Sequence, residues 1–213
     1  MLGATENYMR RICTAIILLL LLAAPAAALD QELARQVLAE INLARTAPQT
    51  YAGFLRQFRT LFHGKYYLLP GSTTRMMTGE GVTAVDEAIK VLVRQKALLP
   101  LAWSDGLAAA AAELAEEQGG SGGTGHNGNQ SHGMQERIER HGRWLRSIAE
   151  NIGYGPTDAR SMVMQLIIDD RVPGRGHRKN TFSRAFDTAG VACGSHPQFG
   201  SMCVIDFAGG YRE

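Results

Sequence analysis

The segment GVACGSHPQFGSMCVIDFAGGY, residues 190–211, sets two apolar runs rich in β-formers on either side of a Gly/Ser/Pro turn region. Alternation through SMCVIDFA is the pattern of half-buried strands, so the stretch predicts a closing β-hairpin. Cys193 and Cys203 stand across that hairpin, where facing residues come close enough to bridge, and neither belongs to a CxxC motif. A Cys193–Cys203 disulfide is therefore expected. Upstream of the hairpin the periodicities are mostly helical. Helices followed by strands indicate an α+β domain in layers rather than a doubly wound parallel sheet.

The helices are read from their punctuation. Asp30 is placed to cap a helix in which Leu33, Val37, Leu38 and Ile41 share one face. Residues 50–82 read as an irregular helical insertion: one short amphipathic helix carrying aromatics, then chain without a clear period. Thr83 opens AVDEAIKVLVRQ, and Ser104 caps LAAAAAELAEEQ, with Gly119 as its stop. ERIERHG predicts a short helix ending at Gly142, SIAENIG a short strand or extended edge, and TDARSMVMQLII a helix capped by Thr157. No internal repeat is present.

The chain has 213 residues and a net charge of +2. Residues 1–28 read as a secretory signal peptide: Arg10 and Arg11 precede an apolar run from Thr14 to Ala24, which ends at Ala26, Ala27 and Ala28. Met9 is a second candidate start, and a retained anchor is the competing reading, disfavoured because the run is too short to span a bilayer. Residues 29–213 then form one domain with no transmembrane segment, read as a monomer or weak dimer, secreted to the medium or held in a periplasm. Losing Arg10, Arg11 and Glu6 turns the net charge of +2 into +1, and Cys13 leaves with them. Balanced charge without a basic cluster argues against a nucleic-acid or membrane-surface partner. An even cysteine pair in an exported chain favours the disulfide.

Two motif matches fail on context. GGSGG, residues 119–123, fits GxSxG but follows a helix, whereas a nucleophile elbow needs a strand before the serine. GTGHNG, residues 123–128, fits GxGxxG but has no strand leading in and no βαβ unit around it. More informative are His126 in GHNG, Glu150 in AEN and His177 in RGHRKN. Two imidazoles and a carboxylate are ligand types that a divalent ion such as Zn2+ takes, with a place left for water. Hydrogen-bonded loop histidines are the plainer alternative. His132 lies in the same loop as His126 and competes with it, while His141 precedes a helix-ending glycine and reads as structural.

In order along the chain, AEINLARTAP, LAWSDGLAAAAAELA, GHNG with Arg137 eleven residues later, AENIGYG, GHRKN, GVAC and CVIDFA resemble the CAP domains. These are the cysteine-rich secretory protein, antigen 5 and pathogenesis-related 1 proteins, also called SCP domains. The resemblance implies a single-domain α-β-α sandwich with a central cleft, built around two histidines and two acidic residues, that in many members binds a divalent metal. Carried over by position, it implies His126, His177 and Glu150 as metal ligands. Gln165 falls where many members have a second glutamate, and Asp169, one turn on, is the candidate substitute. The resemblance further implies an extracellular protein or a lipid or sterol as ligand. A metal-dependent, peptidase-like hydrolase using Glu150 as base is the alternative, and the departure at Gln165 weakens it.

Overall fold

The computed structural model describes the backbone from Ala26 and side-chain surroundings from Gln31 to Glu213. The expected signal segment falls almost wholly on residues 1–25, outside the described residues. Helix α1, Ala26–Thr46, already includes Asp30, which therefore lies inside the helix instead of capping it. Helix α2, Pro48–Arg59, starts on a proline whose missing N–H costs nothing in a first turn.

After α2 the chain is not irregular, as its lack of period suggested, but folds into an antiparallel meander. Strands β1 (Phe62–His63), β2 (Tyr66–Leu68) and β3 (Arg75–Met77) pair only with one another. Strands this short cannot display a period. Helix α3, Val82–Arg94, is preceded by Gly81 at φ 67°, so the turn glycine and not Thr83 sets its start.

Strand β4, Ala102–Trp103, leads to Ser104, whose side chain accepts from Leu107 N and caps helix α4, Asp105–Ser121, as expected. That helix runs past Gly119 to a left-handed Gly122. Helix α5, Met134–His141, ends at Gly142 as expected and is followed by β5 (Arg143–Trp144) and β6 (Ile148–Tyr154). Helix α6, Ala159–Ile168, is capped by the Asp158 carboxylate on Ser161 N, not by Thr157. The short helix α7, Gly176–Thr181, precedes the predicted hairpin of β7 (Thr188–His196) and β8 (Gly200–Ala208), and β9 (Tyr211–Arg212) pairs with β5.

The central sheet has the order β4-β7-β8-β6, parallel at β4/β7 and antiparallel elsewhere. Alternation along β8 sorts its side chains between two layers. Cys203, Ile205 and Phe207 join a core built with Val37, Ile41, Tyr51, Leu55, Leu92 and Ile167 from α1, α2, α3 and α6. Met202, Val204 and Ala208 face α4 and α5, against Leu107, Leu114 and Ile138. The result is the α-β-α sandwich. Cys193 and Cys203 are register partners and form the disulfide.

Arg45, buried in α1, secures the joint between the layers. Its guanidinium donates to the carbonyls of Leu99, Thr181, Ser183 and Phe186 at 2.8–3.3 Å. One cation thus satisfies four acceptors, at Leu99 before β4 and from the end of α7 into the loop before β7.

Candidate functional site

The glycine-rich loop after α4 is held from several sides. Glu117, in the last turns of α4, accepts from the backbone N–H groups of Asn129, Gln130 and Ser131 at 2.5–3.3 Å. Those donors, the Ser131 amide foremost, pull the Glu117 carboxyl down to about 2. Gln118 donates to Gly125 O, Tyr154 O–H donates to Gln118, and Gly125 N donates to that same hydroxyl. The buried His196 ring reaches Gly123 O at 2.9 Å. Neither Glu117 nor His196 was marked by the sequence.

Held in this way, the loop presents His126, whose Nδ1 lies 2.8 Å from Glu150 Oε1. The carboxylate raises the His126 pKa, partly opposed by burial. Arg137, fully buried on α5, donates through Nη2 to Glu150 Oε2 at 2.5 Å and through Nη1 to the carbonyls of His126 and His132. Glu150 is itself 6% exposed, so this is an ion pair inside the protein. His132 does not join it: its imidazole is solvent-exposed and stands 3.8 Å from Glu136. His141 Nε2 pairs with Glu113, in line with its structural reading.

A second histidine–carboxylate pair comes from the other layer. His177 Nδ1 lies 2.7 Å from Asp169 Oδ1, and Asp169 Oδ2 accepts from Arg178 N. Asp169 is 2% exposed and left-handed at φ 59°, and Asp170 accepts from Gly79 N and Glu80 N. Asp169 is thus an interior anchor, and Asp170 ties the end of α6 to the residues before α3. The Arg178 guanidinium takes the carbonyls of Ile167 and Ile168 together with Glu87. Gln165 donates to Tyr154 O, bracing β6.

Helix α7 lies along the free edge of β6. Asn180 donates to Glu150 O and Asn151 Oδ1, and Asn151 donates to His177 O. Glu150 and Asn151 point to opposite faces of the strand, with Ile152 again on the α4 side. The two histidine–carboxylate pairs therefore flank one strand edge from its two sides.

The donor inventory tests how these residues suit a divalent ion. Both oxygens of Glu150 and both of Asp169 are already engaged. With each Nδ1–H given to a carboxylate, the lone pair of each imidazole sits on Nε2, the arrangement seen in metal-ligating histidines. Neither Nε2 has a protein partner among the described residues. No group of three or more His, Cys, Asp and Glu side chains able to hold a metal ion occurs among them either. The described residues therefore form two separate histidine–carboxylate pairs, each with a free Nε2, and not a closed three-ligand centre.

Fold and site together define a layered α-β-α domain with a histidine-flanked strand edge. The family model for the cysteine-rich secretory protein family, CAP, matches residues 38–207, and the chain belongs to that family. Among solved structures it is similar to an extracellular SCP-domain protein from Bacillus anthracis, at 19% identity and TM-score 0.44, covering 60% of this chain and 37% of that one. It is also similar to an outer surface protein from Borrelia burgdorferi, at 17% identity and TM-score 0.44, covering 57% and 92% respectively. The chain thus spans little more than a third of the first of these. No curated protein matches the sequence significantly.

Proposed function

We propose that the protein is an exported CAP-domain binding module that takes a divalent transition-metal ion on Nε2 of His126 and His177 and offers the ion's open positions to an extracellular ligand. The observation that carries this reading is the locking of each imidazole at Nδ1 by a buried carboxylate. That lock selects the tautomer with a free Nε2 and removes ring rotation that a ligand would otherwise have to freeze. Glu150 and Asp169 are positioning residues here, not ligands. Arg137 holds the other oxygen of Glu150 inside the protein.

A bound divalent ion would supply Lewis acidity and attract oxygen donors. The hydrolase reading has less support, because its base, Glu150, already gives one oxygen to His126 and the other to Arg137. An open cleft of about 980 Å3 beside α7 is lined by Glu80, Glu87, Arg175 and Arg178 together with Val91 and Pro173. Export rests on the signal-like segment at residues 1–28, and among the described residues no helix is long and apolar enough to cross a membrane.

Calorimetric titration with Zn2+ tests the site. Saturable uptake by the wild type that disappears in His126→Ala/His177→Ala, with a folded far-ultraviolet circular dichroism spectrum retained, is the expected result. Undiminished uptake by the double variant, or none by the wild type, removes the metal reading.

A further inference from the structure

Residues 56–79 contain no Asp or Glu but carry Arg56, Arg59, Lys65 and Arg75, a local excess hidden by the near-neutral charge of the whole chain. Arg59 is tied to Asp86, while Arg56, Lys65 and Arg75 are exposed and have no acidic partner among the described residues. The same segment folds into the meander. In register, Tyr66 pairs with His63 and Met77, and Leu68 pairs with Arg75, so these five side chains share one face. The opposite face takes Phe62 and Tyr67, which close on Phe58 with ring centroids 4.9–5.2 Å apart. The meander is therefore seated on its aromatic side and open on the other.

The open side and its rim are unusually apolar for a surface. Exposures are 45% for Tyr66, 40% for Leu68 and 70% for Met77 on the face, and 42% for Leu69 beside it. The mount is firm. Val82 N and Thr78 N donate to Gly64 O and Lys65 O, and a Cβ at Gly81 would fall 2.6 Å from Gly64 O, so the two glycines lock the base of the meander to the start of α3.

We propose that this face docks the protein on an anionic lipid surface, independently of the histidine site. Tyrosine, leucine and methionine enter the headgroup boundary, and Lys65 and Arg75 reach lipid phosphates on their long stems. Charge decides the occupant. A second copy placed face to face would set Lys65 and Arg75 against their own equivalents, because a two-fold interface repeats the same patch. An anionic bilayer supplies apolar depth and negative charge in the order in which the face presents its groups. The whole-chain charge balance, which argued against a membrane surface, averages this segment with acidic residues elsewhere.

The test is co-sedimentation of the purified chain with vesicles of phosphatidylcholine containing about 30 mol% phosphatidylglycerol, with phosphatidylcholine vesicles as the reference. Variants Leu68→Asp/Met77→Asp and Lys65→Glu/Arg75→Glu are carried in the same chain, so that apolar residues 14–24 contribute equally to every sample. Each double variant is expected to bind the anionic vesicles roughly tenfold or more weakly, and raising salt from about 0.15 M to about 0.5 M weakens the wild type. Met77→Asp alone, at the most exposed position, serves if a double variant does not fold. Equal binding by wild type and variants overturns the proposal, as does equal binding of the wild type to both vesicle types. A wild-type dimer that Leu68→Asp/Met77→Asp converts to monomer assigns the face to a second copy and overturns it too.

Discussion

Glu150 on β6 and Asp206 on β8 are register partners, two carboxyl groups side by side within the α4–α5 layer, and only one of them has a counter-ion. Arg137 and His126 serve Glu150, while both oxygens of the fully buried Asp206 have no hydrogen-bond partner among the described residues. Burial first, and the Glu150 charge second, push the Asp206 pKa well above its ordinary 3.8.

Asp206→Asn is therefore expected to stabilise the protein. The folded state holds a proton on Asp206 that the unfolded state has released, so stability declines as pH rises from about 3.8 toward the raised folded value. The amide cannot ionise, so it removes that slope, a gain of about 1.4 kcal/mol for each pH unit between 3.8 and the raised folded value. Urea denaturation of both proteins at about pH 4 and about pH 7 measures it, with the gain confined to the higher pH.

Arg137→Gln has the opposite sign. It removes the cation paired with the buried Glu150 and frees two loop carbonyls, for a loss of about 3–5 kcal/mol in the same denaturation assay. Asp206→Asn in the Arg137→Gln background is expected to recover part of it, because the two sites share one network.

Metal uptake at His126 runs against its ion pair. The pairing with Glu150 raises the imidazole pKa above 6.5, so its stabilising effect is present below 6.5 and fades as pH rises through the raised value. A metal needs the neutral ring, so Zn2+ affinity is expected to increase between about pH 6 and about pH 8. His126→Ala should flatten the dependence, as followed by calorimetry at both pH values.

Glu117→Gln isolates the loop anchor. The wild-type carboxylate, held at about 2 against 4.5 when free, supports the loop at neutral pH and loses that effect only as pH falls between those values. With the charge removed, amide exchange at Asn129–Ser131 should accelerate near neutral pH while the hairpin core stays protected. Unchanged exchange would mean that Gln118, Tyr154 and His196 suffice to hold the loop.

Reading the sequence succeeded where one local signal decides the outcome. Alternation over 202–208 marks both faces of β8, Ser104 caps the nearest free N–H, and the cysteines sit at positions that register pairs. It failed where partners are set by packing. Nothing local distinguishes Glu117, which anchors the loop, from its neighbour Glu116, which is exposed. Asp158 rather than Thr157 caps α6 because one residue of phase depends on how the chain leaves β6. For the candidate site, motif order marks His126, Glu150 and His177, whereas the individual partners, Glu150 for one ring and Asp169 for the other, emerge only once β6 and α7 are side by side.

Arg45 carries a consequence for the order of folding. Its acceptors at Thr181, Ser183 and Phe186 lie 136–141 residues further along the chain. A chain synthesised from its N-terminus exposes α1 long before those carbonyls exist, and contacts so distant in sequence form slowly. However early α1 packs against α2 and α3, Arg45 itself must wait for its carbonyls until residue 186 has emerged.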